Sequence, residues 1–162
     1  MATSTPIPSS VTCFKNGLSH LSFPINFTPG LSPIKVGPLA HNTVNGSVSV
    51  IPEDENNLKI YSITAGNNQI VKVHYKLENQ DHDGKGNLSY ISPGIKWTPN
   101  YLVKINGVEK TLTIGGRATI VNSIEFMDDI TLPQLSLVSG APNITCAGET
   151  LLQSKFHAIV VV

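Results

Sequence analysis

Apolar and polar residues alternate one by one along most of this chain. Leu21, Phe23, Ile25 and Phe27 fall on one side of an extended backbone while Ser22, Pro24 and Asn26 fall on the other, the period-2 signature of a half-buried strand. Pro24 lacks the donor that a central strand needs, which predicts an edge or a bulge there. The pattern returns at 69–77, where Val71, Val73, Tyr75 and Leu77 oppose Lys72, His74 and Lys76. At the carboxyl end Phe156, Ala158, Val160 and Val162 alternate with His157, Ile159 and Val161, an expected strand that exposes apolar surface unless it pairs inside a sheet or against a partner.

One further strong segment, 58–64, joined to 69–77 by the turn residues Ala65-Gly66-Asn67-Asn68 as a short hairpin, and several weaker ones fill the intervals. Short strands are expected at 34–36, around Val48 and Val50, at 88–91, at 117–126, at Leu135 and Leu137, and at 143–146. Clusters of Pro, Gly, Asn and Asp separate them. The clearest turn is Asn106-Gly107, the preferred pair for a two-residue type I′ hairpin. Closing there sets Ile105 opposite Val108, Lys104 opposite Glu109 and Tyr101 opposite Leu112. No segment carries the 3.6-residue period of a helix longer than one turn, and no 20- to 50-residue repeat marks a propeller or solenoid. The expectation is one all-β domain over residues 1–162. About nine to ten short strands would form an antiparallel two-sheet sandwich, immunoglobulin-like or jelly-roll in type.

Composition narrows the partners. Charged residues make up 14% of the chain, well under the roughly 25% of an average soluble domain. The 11 basic and 11 acidic residues cancel, so no long-range field gathers a polyanion, and nucleic acid is not expected as a partner. No apolar run approaches the roughly 20 residues of a spanning helix, and no charged segment followed by an apolar one opens the chain, so neither membrane insertion nor a signal peptide is expected. Cys13 and Cys146, in the similar settings Ser-Val-Thr-Cys and Asn-Ile-Thr-Cys, are a candidate disulfide that would close a very long loop; two buried free thiols are the alternative.

Candidate chemistry is sparse. Asn79, Asp81 and Asp83 lie at alternate positions, with Asn87 farther on, in a Gly-containing loop, as in a calcium loop, but counted from Asn79 position twelve is Tyr90 instead of an acid; a polar hairpin tip explains the same residues. Asp128-Asp129 resembles half of a paired-carboxylate site without a second partner. The histidines His20, His41, His74, His82 and His157 show no metal-type spacing. Trp97, the only tryptophan, lies in a Pro-broken loop over 93–101 with Tyr101 and Asn100, near Tyr90. Aromatics on such a loop can stack on sugar rings, so Trp97, Tyr101, Tyr90 and Asn100 form the candidate ligand site. Sequons at Asn26, Asn45, Asn87 and Asn143 matter only in a glycosylating host. No cofactor motif is present. These features point to a non-enzymatic structural or interaction subunit of an extracellular or virion-type assembly: a fibre, pilus or capsid surface module. Its expected partners are other proteins or itself through strand edges; a glycan-binding or adhesin domain is the alternative.

Overall fold

The computed structural model describes residues 7–66, 68–124 and 134–140. They form ten strands in three sheets: β1 (Ser10–Phe14), β2 (Leu18–Phe27), β3 (Ile34–Val36), β4 (Ser49–Pro52), β5 (Leu58–Ala65), β6 (Val71–Leu77), β7 (Gly84–Pro93), β8 (Ile95–Asn106), β9 (Thr111–Asn122) and β10 (Leu135–Val138). A five-stranded sheet has the order β10-β1-β2-β7-β4, a three-stranded sheet β3-β6-β5, and β8 with β9 make a separate two-stranded ribbon. The all-β reading therefore holds for these residues.

One pairing corrects the expected antiparallel arrangement. β10 runs parallel to β1, with Leu135 beside Val11 and Leu137 beside Cys13. The chain reaches β1 only after crossing the whole body, so this contact is a late return to an open edge and not a hairpin. Leu137 lines up with Cys13 there, and both side chains are buried.

The two larger sheets share one hydrophobic cluster. Val11, Cys13, Leu21, Phe23, Phe27, Leu88 and Tyr90 come from the five-stranded sheet, and Leu58, Val71, Val73, Tyr75 and Leu77 from the three-stranded one. Every one of these follows from alternation, because in-register partners share a face: Leu21 pairs with Tyr90 and Phe23 with Leu88. Phe27 and Tyr75 bridge the sheets as an edge-on ring pair with centroids 4.8 Å apart, and the Tyr75 hydroxyl donates to the Thr28 carbonyl.

Pro24 illustrates how local an edge can be. β2 lies between β1 and β7, but its β1 pairing covers only Ser19 to Ser22, and Pro24 pairs with Asn87 on the β7 side alone. Its missing donor thus falls on an open flank, as expected. β5 carries a bulge between Ile60 and Ser62 that turns out Tyr61. β3 has three residues, β4 four and ends in Pro52, and β10 four. Short, bulged or Pro-ended edges resist pairing with other chains. The expected strands at 143–146 and 153–162 lie outside the described residues.

Candidate functional site: a two-stranded amphipathic ribbon

Of residues 93–101, expected as a loop, Pro93 ends β7, Gly94 is the connection and 95–101 are the start of a long strand. Gly94 makes the exit from β7 into β8: it adopts φ +130°, and a methyl group on it would lie 2.8 Å from Ile124 Cγ1. Its carbonyl accepts from both the backbone N–H and the hydroxyl of Ser123 at 2.8 Å. A side chain at this corner would strain the backbone and displace the start of the ribbon at once. Beyond it, β8 and β9 pair antiparallel over twelve residues each, from Ile95 opposite Asn122 to Asn106 opposite Thr111.

The turn is longer than Asn106-Gly107 predicts. Ile105 pairs with Leu112, Lys104 with Thr113 and Tyr101 with Gly116, a register four residues away from the expected one. The Asn106 side chain explains the difference. Its Oδ1 accepts from the N–H groups of Val108 and Glu109 at 3.1 and 3.2 Å, and its Nδ2 donates to Glu109 Oε2 at 2.8 Å. This closes a four-residue connection that exits through Lys110 at φ +51°. A shift by an even number leaves each residue on its original face, so the separation of apolar from polar survives.

That separation is sharp. Directly opposed residues share a face, which places Ile95, Trp97, Pro99, Tyr101, Val103 and Ile105 of β8 with Leu112, Ile114, Gly116, Ala118 and Ile120 of β9. The other face carries Lys96, Thr98, Asn100, Lys104, Thr113, Arg117 and Thr119, with Leu102 and Val121 as its apolar members. A paired strand holds proline only where the missing donor points away from its neighbour, so Pro99 blunts the outer edge of β8. Gly116 lies opposite Tyr101, where an added methyl group would make an ordinary van der Waals contact with the ring at 3.8 Å.

Among the described residues, only the base of the apolar face is covered. Ile95 and Ile124 are buried in the body, Trp97 is half-buried against it, and β8 packs on β1 and β2. Farther out the cover ends. Tyr101, Val103, Ile105, Leu112, Ile114 and Ile120 are 40 to 79% exposed. A sheet face of this composition is ordinarily sequestered, and it is the outstanding surface feature among the described residues.

The residues proposed from sequence do not converge into one pocket. Tyr90 is a core residue: it is 1% exposed, stacked on Phe23 with centroids 5.5 Å apart, and its oxygen accepts from the Ala40 N–H at 3.3 Å. Burial pushes its phenol up to about 12, although the Ala40 N–H works in the other direction. It cannot serve as a platform. Asn100 is on the polar face, donating to Thr119 Oγ1 at 2.9 Å, whereas Trp97 and Tyr101 share the apolar face about 13 Å apart along the strand. Trp97 Nε1 is shielded from solvent and has no acceptor among the described residues.

Asp81 and Asp83 are exposed in the β6–β7 connection, where Asn79 Oδ1 accepts from the Asp81 N–H at 2.9 Å. Asn87 is separated from them. It belongs to β7, in register with Pro24 and Ile51, because the strand resumes at Gly84. Among the described residues no three His, Cys, Asp or Glu side chains are grouped to hold a metal ion. His20 is half-buried, and desolvation lowers its pKa; the His41 ring meets the Gln69 amide at 3.4 Å. Cys13 is a buried free thiol whose pKa burial raises, with the Ser19 hydroxyl opposing. Its expected partner Cys146, together with Asp128, Asp129, Asn143 and His157, lies outside the described residues. No helix in the described residues is long and apolar enough to cross a membrane.

The residues missed from sequence are Val103, Ile105, Leu112, Ile114 and Ile120. Their alternation was legible, but alternation marks an apolar face without saying whether anything lies on it. The chain matches no family model, no curated protein and no solved structure.

Proposed function

We propose that this chain is a non-enzymatic structural or interaction subunit of an extracellular or virion-type assembly, with a two-sheet sandwich of immunoglobulin-like or jelly-roll type as its body and the β8–β9 ribbon as its contact arm. The uncovered apolar face of that ribbon carries the reading. Exposing it in water is unfavourable, and no described residue of the body covers its outer part, which supports a role for the face in contact with something beyond them. The low charge of the chain supports a packing role over an electrostatic one. The separation of Asn100 from Trp97 and Tyr101 weighs against a glycan pocket.

A face kept for binding is dispensable for folding. A Val103→Thr, Ile105→Thr, Ile114→Thr triple variant keeps β-branched side chains at all three positions. Measured in dilute solution, where mass action contributes least, its melting temperature is expected to stay close to that of the parent. Collapse of its thermal transition would overturn the reading, because the face would then belong to the monomer's own core.

A further inference from the structure

Building on the contact-arm reading, we propose that the occupant of the apolar ribbon face is the same face of a second copy of this chain, the two ribbons packing face to face about a two-fold axis.

Three observations select this occupant. The first is charge. The apolar face bears no ionisable side chain from Ile95 to Ile105 apart from the Tyr101 phenol, and none from Leu112 to Asn122, while Lys96, Lys104 and Arg117 all project from the opposite face. Contact through the polar faces would bring like charges together. Contact through the apolar faces leaves those cations on the two outer surfaces in water, and a chain of zero formal charge has no net repulsion to overcome.

The second is area. A fully exposed aliphatic side chain offers roughly 100 Å² and a tyrosine about 200 Å². The fractional exposures of Tyr101, Val103, Ile105, Leu112, Ile114 and Ile120 then uncover roughly 430 Å² per ribbon. Two such faces remove roughly 860 Å², and the intervening Ala118, Gly116 and backbone bring the total close to the roughly 1,000 Å² at which a specific contact begins. The expected complex is thus a weak, concentration-dependent dimer.

The third is the state of the other surfaces. Each edge of the two larger sheets is short, bulged or ended by proline, and Pro99 interrupts the outer edge of β8. The outer edge of β9, twelve residues without a proline, is the long edge left among the described residues, so edge pairing through it is the competing arrangement that the test below separates from face packing. A bilayer fits less well. The exposed apolar stretch from Pro99 to Ile105 is seven residues, about 23 Å, whereas a spanning strand needs about 9–11 residues.

The test uses the intact chain and adjacent residues on opposite faces. Light scattering and sedimentation across a concentration series should show the parent rising from 17.4 kDa toward twice that mass. Ile114→Lys and Ile114→Glu should each weaken dimerisation at least about tenfold. Their equimolar mixture should recover it, because only a self-complementary face brings residue 114 of one copy against the same region of the other. Thr113→Lys, on the polar face, should leave dimerisation intact.

A parent that stays monomeric throughout would overturn the proposal, and so would dimers that survive Ile114→Lys, which would indicate edge pairing through β9. Flotation with phosphatidylcholine vesicles that Ile114→Lys abolishes would overturn it in favour of a lipid surface. A monomeric parent combined with an unchanged melting temperature in the triple threonine variant rejects the second copy while the contact arm stands. A destabilised triple variant rejects both.

Discussion

Replacing Tyr90 by phenylalanine tests the packing of the body through a reversal with pH. The ring is buried against Phe23 and the hydroxyl accepts from the buried Ala40 N–H. Tyr90→Phe keeps the stacking and orphans that N–H, at a cost of about 1 kcal/mol near neutral pH. In alkali the sign changes. With the phenol at about 12 in the folded protein against about 10 in the unfolded chain, the unfolded state loses its proton first. Tyr90 therefore contributes its full stability below pH 10, and that contribution is lost as pH rises through the folded value. Two units amount to about 3 kcal/mol in all, of which about 1 kcal/mol is gone by pH 11. Parent and variant should therefore become equally stable near pH 11, with the variant ahead beyond it. Urea unfolding at a series of pH values measures the difference directly. Tyr75 also titrates late, because burial and then the Asp83 charge raise it, but it is common to both proteins and cancels. A stability gap that stays constant from pH 8 to pH 11 would refute the reasoning, since Tyr90 would then ionise alike in both states.

Two further substitutions probe the outer face of the five-stranded sheet and the base of the ribbon. Desolvation lowers the pKa of His20 in the folded state, so its contribution is present above the unfolded value near 6.5 and is lost as pH falls through the folded one; His20→Gln should flatten the acid side of a melting-temperature profile, and an unchanged profile would dismiss His20 as its source. Trp97→Phe removes the shielded Nε1 donor that has no acceptor among the described residues while keeping an aromatic ring, and chemical denaturation should show a change between zero and about 1 kcal/mol of stabilisation, since an unmet buried donor costs about 1–3 kcal/mol and some packing is lost; a net loss of stability would mean the indole N–H has an acceptor.

Much of the body was legible because alternation reports burial well when both sheets close over a core. Val71, Val73, Tyr75 and Leu77 all point inward as read, and Pro24 sits on an unpaired flank as its chemistry demands. Each miss has its own physical cause. The loop expected around Trp97 rested on prolines, yet a strand tolerates Pro99 when the missing donor faces outward. Tyr90, in the strand expected at 88–91, joins the candidate ligand site only by nearness in sequence to Trp97, but its register opposite Leu21 carries it into the core. The Asn106-Gly107 signal located the turn without setting its length, because the Asn106 amide can cap two N–H groups and open a wider connection. Parallel pairing of β10 with β1 had no local signature at all. Such contacts depend on where distant strands leave an edge free.

The ribbon divides into two parts with different constraints. At its base Ile95, Ile124 and half-buried Trp97 belong to the body's core, and Gly94 fixes the exit angle through a backbone that a side chain would strain. Change there is transmitted to folding. Past Pro99 the side chains contact little beyond their own ribbon among the described residues, and the strands are held by their ladder and by the Asn106 cap. Substitutions in that outer part leave the body's cluster intact, so they alter the contact face at small cost to stability. A rigid base with a free apolar outer face lets a subunit tune what it binds without renegotiating how it folds. A face that belonged to the monomer's core would link the two, and this is why melting temperature and association must be measured on the same variants.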